Sequence, residues 1–224
     1  MCGRFAQTKT VKEIAEEFDI SQILCELQPS YNIAPTHNVA AIINYDEKKL
    51  VTFKWGLIPH WAKDSAIGYK MINARAETIA EKPSYRYPFK KQRCLIIADG
   101  FYEWRKQVKT KIPFYLHLKS NKLFGFAGLY DVWTSPKGEK ISTCTIITTE
   151  ANELLQPIHH RMPVILTKEN ETVWLDSNLE DKQKLLPLLK PYISSKMEVY
   201  EVSNFVNSPK NNSPECVKPI GLRL

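Results

Sequence analysis

The spacing of apolar residues changes along this chain, and each change marks an element. Val11, Ile14, Ala15 and Phe18 recur at helical spacing straight after Thr10-Val-Lys-Glu13. That tetrapeptide is a capping box, in which each side chain answers the other residue's backbone N–H, so a short amphipathic helix is predicted with Ile14 and Phe18 toward the core. Val39–Ile43 and Leu50–Trp55 are apolar runs of strand length around the polar stretch Asn44–Lys49, which predicts a hairpin. Tyr31-Asn-Ile-Ala-Pro35-Thr-His37 reads as a turn or loop, and Trp55-Gly-Leu-Ile-Pro59-His-Trp61 as an irregular, aromatic, partly exposed segment.

Further strands are predicted at Arg93–Ala98, Tyr102–Arg105, Pro113–Leu118, Leu123–Tyr130, Ile141–Thr148, Met162–Leu166 and Met197–Val202. Short helices are predicted after Asn73 through Ala80 and at Glu150–Leu155, Glu169–Leu175 and Asp181–Leu189. Residues 204–219 are rich in Asn, Ser and Pro and read as a polar loop or mobile tail. No internal repeat or linker divides the chain, so a single domain over residues 1–224 is expected. Many strands with few helices, and no βαβ alternation, point to an α+β class. Mainly antiparallel strands would curl into a barrel-like sheet with flanking short helices.

Composition narrows the class. With 43% hydrophobic and 25% charged residues the chain can bury a full core without staples. Its five cysteines (2, 25, 94, 144 and 216) are scattered and odd in number, which argues against a disulfide framework and against a zinc site. No run approaches the roughly 20 apolar residues of a membrane span, and charges interrupt the N-terminal stretch where a signal peptide would need an apolar run. A cytoplasmic location is expected, nucleoid-associated when bound to DNA.

Net charge is +7, and the window from Lys82 to Lys122 alone carries +9, with Asp99 and Glu103 its only acids. Such a field suits a polyanion, nucleic acid first, although a solvated basic face would read the same way.

Candidate chemistry begins at the second residue. Were Met1 removed, Cys2 would carry a free amine and a thiol on adjacent carbons. The amine condenses with an aldehyde to an imine, and the thiol closes on the imine carbon to give a thiazolidine. An α-amino group titrates near ~8, so it is partly neutral at physiological pH. A nearby cation would help ionise the thiol, and Arg4 is the candidate.

Asn73-Ala-Arg75-Ala-Glu77 places an amide and a guanidinium at a strand–helix junction, where they can hold a phosphate or simply cap the helix. In Asp99-Gly-Phe-Tyr-Glu103-Trp104, a lone carboxylate in aromatic and basic surroundings is placed to move protons or to form an ion pair. Trp104 offers a face for a base, or a core ring. Ile158-His159-His160-Arg161-Met-Pro163 sets two imidazoles and a guanidinium before a strand. Adjacent histidines lack the i, i+4 spacing of a helical metal site, so neither metal nor cofactor is expected. Nucleophile-elbow, Walker and dinucleotide motifs are absent from the sequence.

Taken in order, Met1-Cys-Gly-Arg-Phe5, Tyr31-Asn-Ile-Ala-Pro35, Trp55-Gly-Leu-Ile-Pro59, Asn73-Ala-Arg-Ala-Glu77-Thr, Asp99-Gly-Phe-Tyr-Glu103-Trp, Ala127-Gly-Leu-Tyr130 and His159-His-Arg-Met-Pro163 resemble the SRAP family. These are the SOS-response-associated peptidase proteins, also called abasic site processing proteins. The resemblance runs to about Leu166.

It implies binding of single-stranded DNA that contains an abasic site, and a reversible crosslink through a processed N-terminal cysteine. Cys2 would be the nucleophile, Asn73 would orient the N-terminus and sugar, Glu103 would shuttle protons, and His159 would bond the sugar oxygen. Arg4, Arg75 and Arg161 would grip phosphates, while Pro35, Trp61 and Trp104 would wedge or stack against DNA. His160, at the family's variable position, carries no assigned role. Met1 would be removed by an aminopeptidase or by the domain itself. A monomer acting on abasic single-stranded DNA, without membrane, metal or cofactor, is the expectation, with weak lyase activity through the imine. The alternatives are an N-terminal-nucleophile cysteine peptidase and a non-covalent single-strand binder.

Overall fold

The structure, a computed structural model, describes residues 2–108 and 110–223. Its strands are β1 (Phe5–Gln7), β2 (Gln22–Ile23), β3 (Ser30–Ile33), β4 (Asn38–Asn44), β5 (Lys48–Trp55), β6 (Asn73–Arg75), β7 (Arg93–Ala98), β8 (Gly100–Lys106), β9 (Lys111–Leu118), β10 (Phe124–Thr134), β11 (Lys140–Glu150), β12 (Arg161–Pro163), β13 (Met197–Val202) and β14 (Pro219–Arg223). Four short helices accompany them: α1 (Val11–Phe18), α2 (Arg86–Lys91), α3 (Lys168–Leu175) and α4 (Lys182–Leu185). One sheet has the order β14-β13-β9-β8-β1-β3, and the other β12-β11-β10-β7-β4-β5-β2, with β6 added beside β11. Pairing is mainly antiparallel, and the α+β class and barrel-like curl expected from the sequence are observed.

Strand β7 shows how the layers form. Cys94, Ile96 and Ala98 enter the core between the two sheets, while Leu95 and Ile97 enter a second core covered by the helices. Side chains alternate across a strand, so a strand buried on both faces is apolar throughout. The helix-side core takes Ile14 and Phe18 from α1 and Trp174 and Leu175 from α3. Helix α1 starts as the spacing predicts, with the Thr10 hydroxyl accepting from the Glu13 N–H at 3.3 Å and Glu13 accepting from the Thr10 N–H at 2.8 Å. Outside the first sheet, Tyr102, Tyr115 and Tyr200 pack with Val202, Val206 and Cys216.

Three predicted elements differ. Tyr31–Ile33 is strand rather than loop, because β3 pairs with β1 and sets Ile33 opposite Phe5. Asn73–Arg75 is strand, laid parallel on Ile146–Thr148 of β11, and only a single 3₁₀ turn, Ala76–Thr78, follows. Asn73 is therefore not a helix cap. Glu150–Leu155 is not helical: β11 continues through Glu150 to pair with Arg161, and Asn152 heads a turn by accepting the Leu155 N–H at 3.1 Å. Each difference arises from an edge of another strand that local spacing does not encode.

Arg93 ties the helices to the second sheet. It is 6% exposed, and its guanidinium donates to the carbonyls of Phe89, Lys90, Trp174, Asp176 and Leu179. It thereby satisfies carbonyls of α2 and of the chain following α3, which would otherwise be unpaired at helix ends. Arg93→Met is expected to lower the unfolding free energy by about 3 kcal/mol or more, because several buried acceptors lose their donor. Urea denaturation measures this, and a loss below about 1 kcal/mol would contradict the bracing role.

Candidate reaction centre and groove

Burial fixes the N-terminal segment. Cys2 is 0% exposed and belongs to the core between the sheets. Phe5 meets Trp55 and Phe126 edge-on, with ring centroids 5.2 and 5.8 Å apart. The Asn73 Nδ2 donates to the Cys2 carbonyl at 2.7 Å. Asn73 is presented there because β6 lies against β11, and the Tyr85 hydroxyl donates to its carbonyl at 3.4 Å. The Asn73 Oδ1 is buried and finds no partner among the described residues. That leaves one acceptor beside the Cys2 backbone.

The thiol is neutral. Burial pushes it well above the ordinary cysteine range, and the nearby Glu103 carboxylate raises it further. The cation expected to ionise it does not serve that purpose. Arg4 turns its guanidinium to the Asn32 Oδ1 at 2.7 Å and the Val206 carbonyl at 2.8 Å, and stacks 5.8 Å from the Trp104 ring centroid. Glu103 on β8 is 3% exposed, and burial raises its carboxyl above the usual range. A carboxyl whose pKa burial has raised can both accept and return a proton.

His159, just before β12, is half-buried, and burial lowers its pKa below the ordinary value. Its Nδ1 lies 3.0 Å from the Arg161 backbone nitrogen and 3.1 Å from the Arg161 carbonyl. With Nδ1 committed to the backbone, a ligand contact would run through Nε2. His160 is exposed and stacks on His159 at 4.5 Å.

Arg4, Glu103, Trp104, Lys106, Lys111, His159 and Asn207 line one open groove of about 400 Å³. Asn207 comes from the segment expected to be a polar tail. Two 3₁₀ turns, Asn204–Asn207 and Pro214–Val217, shape that segment. The buried Asn32 amide donates to the carbonyls of Val206, Ser208 and Asn211, and the Trp104 indole donates to the Asn207 Oδ1 at 2.8 Å. Neither Asn32 nor Asn207 could be assigned this part from local spacing, since the contacts that bring each to the groove come from more than a hundred residues away.

The remaining candidates sit beside this groove or away from it. Arg75 is exposed on β6, opposite Thr148. Arg161 is 9% exposed, forms a forked pair with Glu77, and donates to the Thr148 carbonyl at 2.6 Å. Glu77 is held below the usual carboxylate range by that arginine. Pro35 is half-buried in the turn after β3 and Trp61 is 52% exposed, and neither lines the groove.

The loop carrying Trp61 is pinned at its base. Ile58 N–H donates to Thr143 Oγ1 and His60 N–H to Asp131 Oδ2, both at 2.8 Å. Gly56 opens the loop at φ +129°, and a Cβ there would stand 2.7 Å from the Gly68 carbonyl oxygen. Among the described residues no three His, Cys, Asp or Glu side chains converge as metal ligands, and no helix is long and apolar enough to cross a membrane.

The site thus combines a buried cysteine at position 2, its carbonyl held by Asn73, with a buried carboxylate, Glu103, whose charge reaches the thiol. The chain belongs to the SOS response associated peptidase (SRAP) family, whose model matches residues 1–209. It is 55% identical over 222 residues to the abasic site processing protein YoqW of Bacillus subtilis, covering 97% of this chain and 99% of that protein. It is 34% identical to the abasic site processing protein HMCES of Gallus gallus, over 87% of this chain and 67% of the relative. A crystal structure of a protein from Bacteroides thetaiotaomicron superposes with a TM-score of 0.90 at 34% identity, covering 98% of this chain and all of that one.

Among the five thiols only Cys25 is partly exposed, and the other four are buried. Under native conditions and without DNA, Ellman's reagent is expected to label Cys25 well before Cys2, whose burial slows attack on a reagent of that size. Peptide mapping that found Cys2 labelled as fast as Cys25 would rule out the buried, neutral thiol.

Proposed function

We propose that this protein processes abasic sites in single-stranded DNA, capturing the ring-opened sugar as a thiazolidine on Cys2 after Met1 is removed. The observation that carries the proposal is the setting of Cys2: a buried thiol whose carbonyl is held at 2.7 Å by Asn73, with the charge of the buried Glu103 reaching it. The naming of relatives such as YoqW as abasic site processing proteins supports the same reading.

The chemistry balances without a cofactor. The Cys2 amine attacks the sugar aldehyde and one water leaves, giving an imine. The thiol then adds across the C=N bond: a C–S bond forms and the sulfur's proton ends on the nitrogen. A thiol this strongly buried does not ionise alone, so the step needs a base, and Glu103 is the group at hand. Run backwards, the protonated form of Glu103 returns the proton to sulfur and opens the ring, which makes the adduct reversible. The Asn73 amide orients the Cys2 backbone and offers its Oδ1 to the new amine or a sugar hydroxyl. His159 bonds the sugar oxygen through Nε2.

Arg4 and Arg75 meet phosphates, while Arg161 acts mainly by bracing Glu77 and the β11–β12 edge. Trp104 gives a base a stacking face. Trp61 and Pro35 contact the strand further out. Imine formation without ring closure permits β-elimination, hence weak lyase activity.

Mixed with an abasic oligonucleotide, the protein is expected to give a product that survives denaturation without borohydride, and Cys2→Ala to abolish it. Intact mass spectrometry reports methionine loss and the adduct together, and an undiminished product from Cys2→Ala would sink the proposal. A second expectation concerns pH. Below the raised Glu103 pKa the carboxyl is protonated and cannot accept, so the crosslinking rate should climb as pH rises through that value. Glu103→Gln should remove this limb and slow crosslinking about 100-fold or more. A pH profile unchanged by the substitution would take Glu103 out of the proton-transfer step.

A further inference from the structure

The hairpin β8–β9 carries a feature that its own stability does not explain. Lys106 and Lys111 stand directly opposite each other across the two strands. Like charges in that position repel and destabilise a hairpin. Both side chains are exposed, and among the described residues neither is paired with a carboxylate. Both line the groove that holds Glu103 and His159.

Four other cations of the Lys82–Lys122 window are already engaged. Arg93 is buried among carbonyls, Lys91 pairs with Glu180, Lys122 lies 3.7 Å from Glu17, and Arg105 stacks over Phe114 at 4.8 Å. Trp104 shares a strand face with Lys106 two residues on, and it is held from the far side by Asn207. The positive charge of Lys106 also reaches His159, where it adds to burial in lowering that ring's pKa.

We infer that Lys106 and Lys111 form a two-point phosphate site for the single-stranded DNA backbone, set on the groove wall outside the reaction centre. This rests on the DNA reading above and adds the residues that hold the strand beside the reacting sugar. Two ammonium groups held together by strand register attract the first phosphate strongly, because binding relieves their mutual repulsion. They read no base edge, so they contribute affinity and position without sequence preference.

The test is the salt dependence of binding to an undamaged oligothymidylate, followed by fluorescence anisotropy. Each phosphate contact to a single strand contributes a slope of about 0.7 in log K against log salt. Lys106→Gln with Lys111→Gln is expected to lower the slope by about 1.4, which corresponds to roughly 25-fold weaker binding at 0.1 M salt if the lines meet at 1 M. Lys182→Gln with Lys184→Gln removes the same charge from α4, on the helix-covered side of the other sheet, and is expected to leave the slope unchanged.

An unchanged slope in the hairpin variant, or an equal fall in both variants, overturns the inference. Crosslinking by the wild-type protein is read separately, at low salt with saturating abasic oligonucleotide. Loss of crosslinking in wild type would refute the covalent reading and leave the slope test intact.

Discussion

Phe5 is the contact on which the reaction centre depends. Its ring is locked edge-on between Trp55 at the end of β5 and Phe126 within β10, so a residue of the first sheet is fixed by the second. Cys2 lies three residues away and cannot stray more than about 10 Å from that anchor. The inter-sheet core therefore positions the thiol before any polar contact is made. Asn73 then sets the direction of the backbone, and its own place comes from β6 lying on β11. Strand pairing at one end and aromatic packing at the other converge on the same residue.

That burial also dictates the chemistry available. A thiol removed from water keeps its proton, and a carboxyl removed from water does the same. Cys2 and Glu103 are both raised by burial, and the Glu103 charge makes ionisation of the thiol harder still. Such a pair stays quiet until an electrophile arrives. A cysteine ionised by a neighbouring arginine would instead be open to oxidation. Arg4 avoids that outcome by turning away to Asn32 and the Val206 carbonyl.

Positive charge in this chain separates into structural and available parts. The window from Lys82 to Lys122 looks like one field along the sequence, but folding disperses it. Arg93 braces helix ends in the interior, Lys91 and Lys122 face carboxylates, and Lys106 and Lys111 are left at the groove. Net charge alone therefore overstates the surface that a polyanion would meet, and the register of one hairpin decides where that charge is offered.

The seven short motifs made the family legible, and apolar spacing made α1, the β4–β5 hairpin and strands β7 to β11 legible, because those elements are stabilised by contacts close in sequence or by uniform burial. Cys2, Glu103, His159 and Arg4 could be singled out as residue types whose chemistry is scarce. The strand character of Tyr31–Ile33 and Asn73–Arg75 could not, since each depends on the edge of a distant strand. Neither the engagement of Arg161 by Glu77 nor the seats of Asn32 and Asn207 has a local signature. The sequence by itself determined which reactive groups exist and how most strands alternate. Tertiary structure alone decided that the thiol is buried and neutral, that Arg4 faces away from it, and that residues near both ends of the chain meet at one groove, because electrostatic environment and proximity are properties of packing and not of order along the chain.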